Sequence, residues 1–157
     1  MKLYRVLACI NEEKGHIQGV MFELRTIATD FVSYSKMKTL GNLDSPNCKP
    51  YTIQDADLVK YIEVTYSEYI DSLVLKTSND FYSFWGNKKR DGRYETKRWD
   101  FQVEAVKDWQ PIGMSGRVDE EGIRALSPLV YSMGCAESSL DIEILPNGQE
   151  YNDADEN

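Results

Sequence analysis

An all-β domain built from three small sheets is what this chain predicts, on three observations. Seven segments are rich in β-branched and aromatic residues, and several alternate apolar with polar positions. Nothing longer than about ten residues shows helical spacing between capping residues. A unit of strand, short loop and strand also recurs: FVSYSKMKT (Phe31 to Thr39), YIDSLVLKT (Tyr69 to Thr77) and GIRALSPLV (Gly122 to Val130) align without a gap, behind the related strands IQGVMF, VKYIEV and QPIGMSG. No single hairpin pair can bury its own apolar face, so three copies imply three sheets packed about an axis.

Taken in order, LYRVLACI (Leu3 to Ile10) and IQGVMFEL (Ile17 to Leu24) read as strands, with Gly15 and His16 in the turn between them. FVSYSKMKT follows as the third strand, and GNLDSPNCKP (Gly41 to Pro50) supplies turn chemistry. KYIEVTY (Lys60 to Tyr66) and IDSLVLKT (Ile70 to Thr77) form the next pair, and WGNKKRDGRY (Trp85 to Tyr94) is a second turn region. WDFQVEAV (Trp99 to Val106) and IRALSPLVYSM (Ile123 to Met133) complete the seven. Beyond them SLDIEIL (Ser139 to Leu145) alternates Leu140, Ile142 and Ile144 with Asp141 and Glu143, a strand pattern that either completes the domain's own sheet or adds to a partner's sheet edge. LPNGQE then turns, and the polar end has a disordered composition. The expected organisation is therefore one domain over residues 1–133 and an acidic extension over 134–157.

The length suits one domain with an ordinary core, and 41% apolar with 28% charged residues reads as soluble and globular. No run reaches the length of a membrane span, and MKLYRVLACINEEKG is a poor secretory signal because its apolar part is short and alternates. Three cysteines, Cys9, Cys48 and Cys135, with no C-x-x-C pair, favour a reducing, intracellular and cytoplasmic setting. Seven of the eight net negative charges belong to the tail: seven acids and no Lys or Arg follow from Glu137, leaving 19 acids against 18 bases before it. Such a tail excludes generic nucleic-acid affinity for itself and leaves the body near neutral.

Catalytic chemistry finds little support. The one histidine, His16, is expected to be an exposed, uncommitted turn residue, and no Ser-His-Asp or Cys-His set can be built around it. No Cys/His spacing suits zinc and no glycine-rich phosphate loop precedes a helix, so neither an enzyme nor a metal or cofactor is expected. The basic stretch Lys88, Lys89, Arg90, Arg93, Lys97 and Arg98, interleaved with Trp85, Tyr94 and Trp99, is a candidate partner-binding loop for an acidic protein surface or the chain's own tail. Its plainer reading is a solvated hairpin face with Trp99 turned into the core. Nucleic acid is not the expected occupant.

The run KYIEVTYSEYIDSLVLKTSNDFYSFWGN, followed by FQVEAVKDWQPIGMSGRV with its closing Gly113 to Gly116 element, resembles the jacalin-type lectins over about residues 1–133. The resemblance implies a β-prism of three four-stranded Greek-key sheets with pseudo-threefold symmetry, the N- and C-terminal strands sharing one sheet. It also implies a monosaccharide held at one end of the prism by loop amides and an aspartate of a Gly-x-x-x-Asp or Gly-x-Tyr-x-Asp loop. A carboxylate can accept two adjacent pyranose hydroxyls, and glycine lets the backbone come close. Carried onto this chain, the second repeat reads Ser67, Glu68, Tyr69, Ile70, Asp71, which keeps the tyrosine and aspartate. The first repeat places Ser33 at the carboxylate position and the third places Arg124 there. Ser67, Glu68, Tyr69 and Asp71 are thus the candidate carbohydrate site, with weak binding expected because the glycine is lost. Asp71 as a local capping group is the plainer alternative. Two functions follow: a lectin-like, non-catalytic glycan-binding module, or an interaction subunit of a larger assembly that keeps the prism as scaffold and docks through Lys88, Lys89, Arg90, Arg93 and the strand carrying Leu140, Ile142 and Ile144.

Overall fold

A computed structural model of the chain describes residues 1–27, 30–87, 94–101 and 109–132. These residues form eleven strands and no helix: β1 (Lys2–Ile10), β2 (Ile17–Ile27), β3 (Val32–Lys36), β4 (Leu40–Gly41), β5 (Cys48–Thr52), β6 (Val59–Tyr66), β7 (Ile70–Thr77), β8 (Tyr82–Gly86), β9 (Glu95–Asp100), β10 (Trp109–Val118) and β11 (Ile123–Ser132). The first sheet has the order β3-β2-β1-β5, with β4 also paired to β2. The second has the order β8-β7-β6-β9, and the third is the β10-β11 hairpin. In the first two sheets, three consecutive strands are followed by a fourth that returns beside the first, the Greek-key arrangement. All three sheets are antiparallel and feed one core, in which Val6, Phe22, Ile62, Leu73, Trp99 and Ile112 are all buried.

The symmetry is most visible at the hairpin turns. In β1-β2, β6-β7 and β10-β11 the last pairs are Ile10 with Ile17, Tyr66 with Ile70, and Val118 with Ile123, and each follows a register shift one step earlier. The same bulge is therefore built three times, bending each strand where it enters its loop. Ile17, Ile70 and Ile123 are all fully buried, each contributing on the order of 2–3 kcal/mol of burial free energy.

This pairing corrects the first repeat. FVSYSKMKT falls on β3, an outer edge strand whose five residues are all exposed. The counterpart of β7 is β2, so HIQGVMFEL, YIDSLVLKT and GIRALSPLV are the equivalent segments, and their first residues, 16, 69 and 122, lie 53 apart both times. Gln18 rather than Ser33 then matches Asp71 and Arg124.

Other expectations shift in detail. Cys48, Lys49 and Pro50, expected in a turn, begin β5, which tolerates a proline because it is an edge strand. Trp85 and Gly86 belong to β8, and Trp99 and Asp100 end β9, while residues 102–106 of the strand expected over Trp99 to Val106 lie outside the described residues. Trp99 itself is buried, as the hairpin-face reading required. The N-terminal strand β1 pairs with β2 and β5 and β11 pairs with β10, so among the described residues the two terminal strands do not share a sheet. Cys9 and Cys48, directly opposite on β1 and β5, form a disulfide. Among the described residues, no helix is long and apolar enough to cross a membrane.

Candidate functional site

The three hairpin loops meet at one end of the molecule, and each is closed by the same backbone bond. Asn11 N donates to His16 O (2.9 Å), Ser67 N to Tyr69 O (3.0 Å) and Asp119 N to Gly122 O (2.9 Å). The equivalent residues His16, Tyr69 and Gly122 thereby come together. The His16 and Tyr69 rings stack, with centroids 4.5 Å apart and planes 12° from parallel, and a Cβ on Gly122 would lie 2.6 Å from the His16 ring. Glycine at 122 is what makes room for the imidazole. His16 is buried and its Nε2 donates to the Glu121 carbonyl (2.5 Å), so it is a packed axial residue and not the free turn histidine expected.

Charged groups surround this stack. The Tyr69 hydroxyl lies 3.0 Å from Asp119 Oδ2 and 3.1 Å from Glu121 Oε2, either of which can accept its one hydrogen bond, and it accepts from Arg124 Nη2 (3.2 Å). Arg124 Nε donates to Asp119 Oδ2 (2.5 Å), its guanidinium lies 4.7 Å from the Tyr69 ring centroid, and Nη2 is 3.7 Å from Glu68 Oε1. Lys14 pairs with Glu121. Burial, then the hydrogen bonds to Asp119 and Glu121, push the Tyr69 phenol up to about 12. Asp119 is held down to about 2, first by the Glu121 amide and then by Arg124 and Tyr69. Glu121 is lowered chiefly by Lys14, whose own pKa is raised by Glu121 in return.

The candidate residues of the second repeat do not form a common cup. Ser67 Oγ donates to Asp71 Oδ2 (2.8 Å), and the Asp71 residue is only 4% exposed. Tyr69 points instead into the third-repeat loop, while the Glu68 side chain is 72% exposed at the rim. In the third loop, Asp119 Oδ1 accepts from Glu121 N (2.8 Å) and Gly122 N (3.2 Å), so the amides that the resemblance would offer to a sugar already have an acceptor. Gln18, the first-repeat equivalent, donates through Nε2 to Asn42 O (3.1 Å) and Asp44 O (3.0 Å). Lys88, Lys89, Arg90, Arg93, Leu140, Ile142 and Ile144 lie outside the described residues. Among the described residues no group of three or more His, Cys, Asp or Glu is placed to hold a metal ion.

Sequence reasoning missed His16, Asp119 and Lys14 as parts of this end. The signal was present in the 53-residue spacing of His16, Tyr69 and Gly122, which the aromatic alternation of β3 masked.

Comparison with known proteins agrees with this architecture. Solved structures similar to the chain include a prostate-specific WGA16 glycoprotein lectin (TM-score 0.60, 12% identity, covering 83% of this chain and 82% of that one). A mannose-binding jacalin-related lectin from Ananas comosus is similarly related (TM-score 0.60, 11% identity, 84% and 83% covered), as is Calystegia sepium agglutinin (TM-score 0.57, 14% identity, 84% and 83% covered). At these identities the likeness shows the fold alone, an all-β prism. No curated protein matches by sequence. The family model for the jacalin-like lectin domain matches residues 8–127, and with three bulged hairpins meeting about one axis, the chain belongs to the jacalin-like lectin family.

Proposed function

We propose that the chain is a non-catalytic carbohydrate-binding module spanning residues 1–133, that its glycan contacts come from the convergent loop end, and that its affinity for neutral sugars is low. The observation that carries this reading is the ring of accessible charged side chains around the Tyr69 and His16 stack, with Glu68 72%, Glu121 53%, Lys14 50% and Arg124 40% exposed at the side chain. Carboxylates that accept adjacent hydroxyls, beside cations that donate, are the chemistry a pyranose edge needs. Low affinity follows from the burial of Asp71 and from Asp119, which takes the loop amides. In this reading Glu68 contributes a rim carboxylate, Tyr69 organises the centre, and Ser67 with Asp71 supports the loop from beneath. The family relatives of known structure include lectins described as mannose-binding and as bound to a biantennary N-glycan, which supports a glycan as ligand. The Cys9–Cys48 disulfide favours a protein that is exported over one that stays intracellular.

A second reading, the scaffold subunit, draws on a different observation. Ile27 (64% exposed), Phe31, Val32 and Tyr34 form an uncovered apolar stretch at the β2-β3 edge, a surface suited to a protein partner. A glycan array probed with the wild-type protein, Glu121→Gln and Asp71→Asn separates the two. Binding lost in Glu121→Gln and kept in Asp71→Asn is the expected result. A blank array from folded protein overturns the lectin reading and leaves the scaffold.

A further inference from the structure

Beside the loop end, the seam between the second and third sheets opens as a cleft of about 240 Å³. Its floor is apolar, from Val64, Ile70, Trp99 and Leu126, each of them buried. Its charged lining is cationic throughout: Lys97 from β9, Arg117 from β10 and Arg124 from β11, with no carboxylate among the lining residues. The three cations differ in their commitments. Arg124 is tied to Asp119 and Glu68. The Lys97 ammonium lies 5.8 Å from the Trp99 ring centroid. Arg117 is exposed and makes no ion pair with any described residue. Besides Asp119 and Glu68, which hold Arg124, the acid Glu95 borders the rim, where the Tyr66 hydroxyl hydrogen-bonds to it, which pushes the Tyr66 phenol up behind the effect of burial. One donor in the floor, Trp99 Nε1, has no acceptor among the described residues.

A cleft with an apolar floor, an aromatic rim and cations from three strands selects for a ligand that is itself part apolar and part anionic. Attraction between the cations and an anion is strengthened over an apolar floor, where the effective dielectric constant is lower than in water. The volume lies below the roughly 300–1,000 Å³ of sites for drug-sized ligands and suits one sugar ring with a charged substituent. Tyr66 offers an aromatic face to the apolar side of such a ring. The planar guanidinium fork of Arg117 suits two oxygens of a sulfate or carboxylate better than a lysine ammonium would.

We infer that this seam cleft is an anion-selective subsite, which accepts a sulfated or carboxylated sugar through Arg117, with Lys97 adding to the positive potential of the cleft. The inference rests on the reading of the chain as a glycan-binding module and adds the ligand class and a second location. Arg124 links the two, since its guanidinium reaches the loop-end cluster while its side chain lines the cleft.

The test is a titration of the full chain, followed by amide and indole NMR shifts, at low and at physiological salt. The probes are a sulfated, uronate-containing heparin disaccharide, glucuronic acid, N-acetylglucosamine and inorganic sulfate, applied to the wild type, Arg117→Gln and Lys97→Gln. Both substitutions are at strand surface positions, and denaturation curves confirm that each variant folds. The expected result is that the sulfated disaccharide shifts the Trp99 indole, binds at least about tenfold more weakly to Arg117→Gln, and weakens as salt rises. N-acetylglucosamine should leave the indole unmoved. Equal affinity in wild type and both variants overturns the subsite. Inorganic sulfate that binds as tightly as the disaccharide also overturns it, because the cleft then reads charge and not sugar. If no anionic probe binds while neutral glycans are retained on the array, this inference fails and the module reading stands. If the array is blank and the disaccharide still binds at Arg117, the loop-end reading fails and the cleft is retained.

Discussion

The axial contact between His16 and Gly122 gives a sharp test, because a single methyl group should break it. In Gly122→Ala the new Cβ would lie 2.6 Å from both Cδ2 and Nε2 of His16 and 3.1 Å from the Ile17 carbonyl oxygen. The imidazole cannot retreat freely, since Tyr69 stacks on it at 4.5 Å and Nε2 is bonded to the Glu121 carbonyl. Forcing it out sacrifices the ring stack and that hydrogen bond, or else imposes overpacking, which costs about 1–3 kcal/mol. Replacing glycine also lowers the entropy of the unfolded chain, an offset of about 0.4–1 kcal/mol that is the same in any background and cancels in a double-mutant cycle. The cycle is Gly122→Ala with His16→Ala, measured by urea denaturation. We expect Gly122→Ala to destabilise the wild type by about 1–3 kcal/mol and to have little effect once the ring is gone, a coupling of about 1 kcal/mol or more. An equal cost in both backgrounds would refute the axial packing argument and place the strain at the Ile17 carbonyl instead.

Further perturbations address the rest of the framework. Gln110 on β10 joins two sheets by mimicking a strand edge: Oε1 accepts from Val59 N (2.9 Å) and Nε2 donates to Val59 O (3.0 Å), all of it buried. Gln110→Leu leaves both backbone groups unpaired and should cost about 2–5 kcal/mol in urea denaturation, against less than about 1 kcal/mol if the clasp is dispensable. The Asp119 carboxyl has a folded pKa near 2, below its ordinary value of 3.8, so its contribution to stability is present above about pH 4 and is lost as pH falls toward 2. Asp119→Asn should flatten that part of the acid stability profile, and an unchanged profile would show that the carboxylate is not held as described. Tyr69 has the opposite sense: its phenol is raised from 10 to about 12, so the stability it confers is full below pH 10 and falls as pH rises through 12, a loss that Tyr69→Phe should remove from alkaline denaturation curves. Reducing the Cys9–Cys48 bond, which spans 39 residues, should lower stability by about 2–4 kcal/mol in thermal or urea unfolding with and without reductant, and a shift under about 0.5 kcal/mol would show that the link does not constrain the unfolded chain.

The substitutions divide between features legible in the chain and features that only packing reveals. Ile70, Leu73 and Leu75 announce a strand by alternation, and β7 has the expected bounds, because side-chain period in a strand is a local property. The β3 segment misled for the same reason: Phe31, Val32 and Tyr34 have strand composition, but composition does not say whether a strand is central or an edge, and these side chains are exposed. Lys49 and Pro50 look like turn residues until β1 is found to pair with them from one side only. The site divides in the same way. Ser67, Glu68, Tyr69 and Asp71 are adjacent in sequence and could be proposed together, yet Asp71 turns inward to Ser67 while Tyr69 joins residues some fifty positions away.

What the sequence determined by itself was the all-β class, the threefold repetition, the likeness to the jacalin-type lectins, the concentration of net negative charge in the tail and the inward face of Trp99. Each of these depends on local periodicity, composition or short patterns, which the chain carries wherever it folds. What only the tertiary structure decided was which copies are equivalent, that His16 packs on the axis, that Asp119 caps the third loop, that Cys9 meets Cys48, and that Lys97, Arg117 and Arg124 share a cleft. Those facts depend on strand register and on the closure of three sheets about one axis, where a shift of a single residue would turn every side chain to the opposite face.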